Sequence, residues 1–400
     1  SILNAVWAAP IVLAEVPSGA LADIIGRKQL LVFATSIMII EIGIISFIPK
    51  TDPSIIFIVF LINRVLSGLA EAAASGADEA IAYDSLEAEG DKRQWGRVLE
   101  ILMRFQSFGF IIAMSVGAAI YDPNLLESVC RFFDLDTNFS QETTMRFPLY
   151  LTFILAICAF ITTLRMDDPH KNSPSSDAKK PEIRQAFSLT LKAGLWILKT
   201  PFALCVILFG MLFDGIIRMV ITLSSQYYRM IELPESTFGI IGSLVAMFGL
   251  VVPKIAKKIT ENHSPSYAVW ITAGLTLTGL VSMNFFWPYL GLIPALITYS
   301  AMYFTGFFVS FYLNQAASSE QRATILSFKG LAYNISYGIL GILYALLLKT
   351  IKQGIQTESV ENKVFMDSFS GFPITFILWF IFLLAVYLFV LKKPSFPGKK

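Results

Sequence analysis

Charge is scarce in this sequence. Asp, Glu, Lys and Arg supply 15% of its 400 residues, against roughly 25% in soluble globular chains. Histidine occurs twice (His170, His263) and cysteine three times (Cys130, Cys158, Cys205). Three thiols make no even disulfide framework, and Cys158 and Cys205 lie in apolar runs where a thiol packs as a small hydrophobe. Both histidines fall in expected loops, and there is neither a His-Glu-x-x-His pair nor a cysteine cluster. A zinc intramembrane protease is therefore excluded, and no metal or other cofactor is expected. No Gly-x-x-x-x-Gly-Lys-Ser/Thr segment exists, which argues against ATP-driven pumping. The net charge of +2 is spread over short clusters, so no nucleic-acid partner is expected. Disordered, collagenous and disulfide-scaffold chains do not have this composition.

What is abundant is apolar surface. Hydrophobic residues reach 55%, phenylalanine alone counts 34, and the mean hydropathy is +0.64. A membrane span needs about 20 apolar residues. Eleven stretches qualify, near 3–23, 29–48, 54–84, 96–121, 147–165, 201–226, 238–256, 267–285, 290–315, 324–348 and 372–391. They do not alternate polar with apolar as outer-membrane strands do, so helices are expected. One alternate set of connectors holds about 18 Lys and Arg, the other about 7. By the positive-inside rule the richer set is cytoplasmic, which puts the C-terminus inside and residue 1 outside. No cleavable leader is expected ahead of the first run, and an odd number of spans points to one further helix before residue 1. The expectation is an all-α, multi-pass protein of a plasma or bacterial inner membrane, in contact with the lipid bilayer.

The longest connector, 166–200, begins with helix-ending Asp167-Asp168-Pro169 and continues through Ser173-Pro174-Ser175-Ser176 and Lys179-Lys180-Pro181, which is linker chemistry. From Glu182 to Lys199 the pattern turns amphipathic: Ile183, Phe187, Leu191, Leu195 and Leu198 oppose Arg184, Lys192 and Lys199. A helix lying on the inner membrane surface is expected there. The flanking halves echo each other. Arg93 to Leu99 opens one span and Gln321 to Ser327 opens another about 229 residues later, while Val251 to Lys257 is a worn counterpart of Pro17 to Asp23. Repeated halves about a central loop typify secondary transporters, with the substrate held between them. The expected organisation is a helical bundle over 1–165, a linker over 166–200 and a second bundle over 201–400.

The sharpest local signal is Gly19-Ala20-Leu21-Ala22-Asp23-Ile24-Ile25-Gly26-Arg27-Lys28. Its small residues permit close helix approach. Asp23 and Arg27 stand at a span end, where Asp23 can accept from the N-terminus of a neighbouring helix. The segment resembles the signature between the second and third helices of the major facilitator superfamily. Gly19, Leu21, Ala22, Asp23, Gly26, Arg27 and Lys28 match it, and Ile24 stands where a basic residue is usual. The resemblance implies a fold of two six-helix bundles with eleven of twelve helices present: helices 2–6 in 1–165 and 7–12 in 201–400. Arg64-x-x-x-Gly68 is similar to the family's fourth-helix motif, and Asp84 to the carboxylate that partners the motif arginine. The likeness therefore implies a cytoplasmic gate of Gly19, Asp23, Gly26, Arg27 and Asp84, closed in the outward-open state. The family's fifth-helix antiport signature is poor here, since Gly109 and Gly117 lack its Gly-Pro.

Charges inside spans are costly, about 2.5–3.5 kcal/mol each at a helix centre, and need a partner or water. Arg64, Glu71 and Asp78 recur every seven residues, so one continuous helix carries them as a single stripe about 21 Å long. Arg104 is expected at the depth of Asp78 and Glu79 and is predicted to pair with one of them. Asp214 and Arg218 form an i,i+4 pair that neutralises itself or opens to substrate. Lys329 is expected to snorkel to the inner surface. Glu41, on a helix that faces lipid in the resembled family, has no evident role. Tyr299, Tyr303 and Tyr337, with Asn314, Gln315, Tyr333 and Asn334 nearby, suit an amphipathic ligand; interfacial anchoring is the alternative for Tyr312. The functional expectation is a monomeric, proton-coupled secondary transporter of a small solute, not an enzyme, with Glu71 and Asp214 as proton carriers and export favoured. Alternatives are an uptake carrier for a charged metabolite and a non-transporting sensor on the same fold.

Overall fold

The computed structural model describes residues 2–48, 52–132, 139–169, 183–352 and 360–390. His170, the linker residues Ser173 to Pro181 and the basic tail Lys392 to Lys400 lie outside the described residues. Every regular element among the described residues is helical. In chain order these are α1 (Ile2–Ile25), α2 (Arg27–Ser46), α3 (Pro53–Ala74), α4 (Ala77–Ala88), α5 (Trp95–Tyr121), α6 (Pro123–Phe132), α7 (Gln141–Thr144), α8 (Phe147–Leu164) and α9 (Ile183–Lys199). They continue as α10 (Pro201–Thr222), α11 (Ser224–Met230), α12 (Phe238–Asn262), α13 (Pro265–Met283), α14 (Leu292–Ala316), α15 (Arg322–Lys352), α16 (Val360–Phe369) and α17 (Gly371–Ala385). Among the described residues, eleven helical stretches are long and apolar enough to cross a membrane, in register with the eleven sequence runs. Local chemistry sets several starts. Asp52 accepts from the Ser54 N–H at 2.8 Å ahead of Pro53, and Pro148, Pro201 and Pro265 occupy first-turn positions where a missing N–H costs nothing.

The run 54–84 is the exception to continuity. It is divided at Ser75-Gly76, where Gly76 has φ +76° and caps α4. Left-handed backbone is open to glycine and strained for most other residues. The single stripe expected from Arg64 through Asp78 is thus broken, because heptad spacing keeps a face only while the helix is uninterrupted. Arg64 and Glu71 remain on α3. Asp78 falls in the first turn of α4, exposed, with its carboxylate accepting from the Glu79 N–H at 2.8 Å.

Two compact units are distinguished. The first comprises residues 1–92, 111–195 and 317–331. Its interior is rich in alanine (Ala20, Ala22, Ala70, Ala72, Ala73, Ala77, Ala80), which brings α1 and α3 together. Gly68 is part of this approach: a Cβ there would lie 2.5 Å from the Trp7 carbonyl oxygen. Close backbone approach and hydrogen bonding, rather than a hydrophobic driving force, hold helices together in lipid. In the same unit α9 buries Ala186 and Ala193 and sets Gly194 against Phe328, 3.2 Å from a notional Cβ. Its Phe187, Leu191, Leu195 and Leu198 are exposed, the apolar face expected of an interfacial helix.

The second unit comprises residues 93–110, 196–316 and 332–400. Its core is aromatic, with Phe209, Phe213, Tyr227, Phe286, Phe369, Phe376 and Phe380 in one cluster. The Tyr227 hydroxyl donates to the Gly291 carbonyl at 3.0 Å, which satisfies the one polar group of a fully buried ring. Tyr299 belongs to this core at 2% exposure. Tyr312 is buried as well, so it is a packed residue and not the interfacial anchor considered above.

Candidate functional site

At the α1–α2 junction the Gly19–Lys28 segment builds a buried charge network. Arg27 is fully buried and pairs with Asp23, one turn earlier, at 3.1 Å and with Asp84 of α4. Its Nη2 also donates to the Ser319 carbonyl at 2.6 Å. Asp84 receives a second arginine, Arg322, which bonds Glu87 at 3.3 Å and the Ala317 carbonyl at 2.8 Å. Arg322 stacks over the Tyr83 ring at 4.3 Å. Asp23 accepts from the Ala323 N–H at 3.2 Å, the Thr324 N–H at 2.9 Å and Thr324 Oγ1 at 2.7 Å. It therefore caps the N-terminus of α15, where orphan N–H groups and the helix dipole favour a carboxylate. The residues that the sequence assigned to one gate converge: Asp23, Arg27 and Asp84 touch directly, and Gly19 and Gly26 shape the junction. A Cβ on Gly19 would collide with Ser327 Oγ and lie 2.8 Å from the Ala323 carbonyl. Gly26 has φ +109° between α1 and α2, beside Asp168, which accepts from the Lys28 N–H at 3.1 Å.

The break in the fourth span is held by the same neighbours. Ser75 Oγ donates to Glu15 Oε1 at 2.8 Å, and Ser327 Oγ donates to the Ser75 carbonyl at 2.8 Å. A Cβ on Gly330 would meet Glu15, and one on Gly76 would lie 2.8 Å from the Ala323 carbonyl. Lys329 pairs with Glu79 at 2.9 Å. A carboxylate thus lies within its reach inside the protein. Arg104 in turn pairs with Glu100, one turn earlier, at 3.4 Å, and Lys257 takes the other Glu100 oxygen at 3.2 Å. The described ion pair of Arg104 is thus within its own helix. Equal depth does not choose a partner when an i,i+4 carboxylate is available.

Arg64 lies close to a buried carboxylate of the neighbouring helix. Glu41 of α2 is buried, takes the Asn63 side chain on its backbone carbonyl at 3.1 Å, is hydrogen-bonded by Ser67 and lies in electrostatic reach of Arg64. Its place on a lipid-facing helix is explained: the side chain turns inward to α3. Glu71, two turns further along α3, is exposed.

In the second unit Asp214 and Arg218 of α10 pair at 2.8 Å. Arg218 Nη1 donates to Asn334 Oδ1 at 3.0 Å, and its guanidinium lies 5.5 Å from the centre of the Tyr337 ring. The Tyr337 hydroxyl is 2.9 Å from Thr222 Oγ1. Asp214, Arg218 and Tyr337 therefore form one cluster, with the carboxylate buried and the arginine part-exposed. Tyr303 belongs elsewhere, beside Ser107 of α5, where Gly249 makes room for both. Tyr299 sits apart in the aromatic core. Tyr333 packs on Gly210.

The sequence model of the Major Facilitator Superfamily matches residues 1–341. The chain belongs to that superfamily. It is a membrane transporter, and its fold implies a small-molecule substrate and a bilayer as its surroundings. Solved transporters share the fold at low identity. A human organic anion transporter has 16% identity and a TM-score of 0.66, with 96% of this chain and 83% of that one covered. A proton:xylose symporter has 12% identity and a TM-score of 0.66, with 97% and 86% covered. The E. coli fucose:proton symporter has 12% identity and a TM-score of 0.64, with 96% and 90% covered. No match was found among curated protein sequences.

Sequence reasoning about this transporter missed Arg322, Glu87, Ser319 and Thr324 at the buried network and Asn334 as a direct partner of Arg218. A signal for Arg322 existed. The echo between Arg93–Leu99 and Gln321–Ser327 marks two helix starts, each preceded by a short 3-10 turn (Lys92–Gln94 and Ser319–Gln321). A buried arginine at such a start calls for a carboxylate.

Proposed function

We propose that this transporter works by alternating access between a first bundle, 1–165, and a second, 201–400, joined by the linker 166–200. We assign protons as the coupling ion, export as the direction and a monomer as the working unit. In this reading the C-terminus is cytoplasmic, in a plasma or bacterial inner membrane, and the network of Gly19, Asp23, Gly26, Arg27, Asp84 and Arg322 is the cytoplasmic gate. The observation that carries the coupling is the Asp214–Arg218 pair inside an apolar helix. A proton on Asp214 cancels its attraction for Arg218, and Asn334 and Tyr337 are placed to retain the freed guanidinium. Glu71, exposed in mid-span, is the second carrier, while Arg64 holds Glu41. Tyr303 and Tyr337 are the substrate-facing rings, and Asp78 and Arg104 complete the ionisable groups of the two units. Export is favoured on the likeness of the Gly19–Lys28 segment to exporter gates. The part-exposed Arg218 beside an aromatic ring favours, as a second reading, uptake of an anionic metabolite.

The test is flux of candidate solutes in vesicles carrying the full chain under an imposed proton gradient. Asp214→Asn and Glu71→Gln are each expected to remove the dependence of rate on pH, and at least one of them to cut gradient-driven flux about tenfold or more. Wild-type flux independent of pH, and unaltered in both variants, contradicts the coupling.

A further inference from the structure

The second unit contains an apolar crevice that no transport role accounts for. It lies among α10, α13, α14 and the end of α17, and its cavity volume is about 110 Å³. Phe209, Phe213, Val206 and Trp270 form most of its wall. Its depth has a direction. Cys205 is four residues from the start of α10 and Tyr312 four residues from the end of α14, each about 6 Å from its helix end. Phe213 lies about 18 Å from the start of α10. One end of the crevice is thus near the helix termini, and the other is deep in the apolar span.

At the shallow end Tyr312 offers an unspent polar group. Tyr312 is 8% exposed and lines the crevice, and its hydroxyl has no hydrogen-bond partner among the described residues. Leaving such a group dry is unfavourable, and the ring cannot turn away to escape it. It is held between Phe202, at 6.1 Å edge-on, Phe308, stacked at 6.4 Å, and Phe311, edge-on at 5.4 Å. The surroundings favour a negative head beside it. The N-termini of α10 and α13 both border this end, and neither Thr200 nor Ser264 caps its helix with a side chain, so their dipoles are available to an anion. Lys199 and His263 immediately precede those two caps.

We propose that this crevice binds a long-chain fatty acid from the bilayer, its carboxylate accepting from the Tyr312 hydroxyl and its chain lying along Phe209 and Phe213. A single chain fits a slot with one polar partner at one end. The assignment stands independently of the transport reading, since it uses none of the residues given a transport role.

The test is photolabelling of the purified full chain in nanodiscs with a diazirine analogue of palmitic acid, competed by palmitate, with labelled peptides mapped by mass spectrometry. Label is expected on α10, α13 or α14 and to be displaced by palmitate. Tyr312→Phe, which keeps the ring stacking, is expected to weaken palmitate competition about 5- to 20-fold. Val206→Phe, which fills the slot, is expected to abolish specific label. Palmitate methyl ester is expected to compete at least tenfold more weakly than palmitate. Label confined to other helices, competition unchanged in Tyr312→Phe, or displacement by the ester or a diacyl phospholipid as effective as by palmitate would each overturn the proposal.

Discussion

Asp84→Ala is expected to cost the protein about 3–5 kcal/mol of stability, the range for stripping one partner from a buried ion pair. The size follows from geometry. Arg27 and Arg322 both lodge on this carboxylate, and their side chains are 0% and 3% exposed. Removing it leaves two buried guanidinium groups facing each other. Arg27 retains Asp23, and Arg322 retains Glu87, so the network weakens without vanishing. Asp84→Asn keeps the shape and an acceptor for Ser319 but loses the charge, and is expected to fall between the wild type and Asp84→Ala. The control is Lys92→Ala, which breaks a pair with Glu87 at 2.5 Å whose lysine is half exposed. Exposed pairs contribute about 0–1 kcal/mol, so this variant is expected to unfold close to wild type. Thermal unfolding of the solubilised protein separates the three. Asp84→Ala unfolding at the wild-type temperature would show that the two arginines do not depend on it.

Gly76→Val is expected to have the second largest effect. A valine at φ +76° pays about 1–2 kcal/mol for left-handed backbone. Its Cβ would lie 2.8 Å from the Ala323 carbonyl and 2.9 Å from Leu326 Cβ, which adds about 1–3 kcal/mol for overpacking. The break between α3 and α4 cannot absorb that contact, because Ser327 Oγ already binds the Ser75 carbonyl. The variant is expected to lose both stability and transport, whereas Gly90→Ala, in open space, should pay only for its left-handed backbone. Equal loss in the two variants would show that the packing of Gly76 is immaterial.

The eleven spans were legible because hydrophobic run length is a direct readout of membrane thickness. So was the junction of Asp23 with Arg27 and Asp84, because its small residues and charges lie within a few positions or at a helix end. What could not be read was helix continuity. Ser75-Gly76 looks like any small pair within an apolar run, and only the close approach of α15 makes a break there worthwhile. The partners of Arg64, Arg104 and Lys329 were hidden for a related reason. Spacing fixes the face of one helix, while pairing depends on which neighbour brings a carboxylate to it. Glu41 and Asn334 lie on helices whose rotation about their own axes no periodicity reveals, since spans apolar on all sides have no polar face to orient them. Tyr312 was left open between two readings because a tyrosine near a span end is as compatible with the interface as with a packed core.

A cytoplasmic gate at the Asp23 network, as proposed above, requires the bond between Asp23 and the start of α15 to be made and broken during transport. Hydrogen–deuterium exchange of the peptide spanning residues 318–330 tests it most directly, because the Ala323 and Thr324 amides are the groups that Asp23 holds. In the resting wild type these amides are expected to be protected. Protection should fall when a proton gradient and a transported solute are supplied, and should already be low in Asp23→Asn. Protection that stays constant between rest and sustained turnover would contradict a gate at this junction.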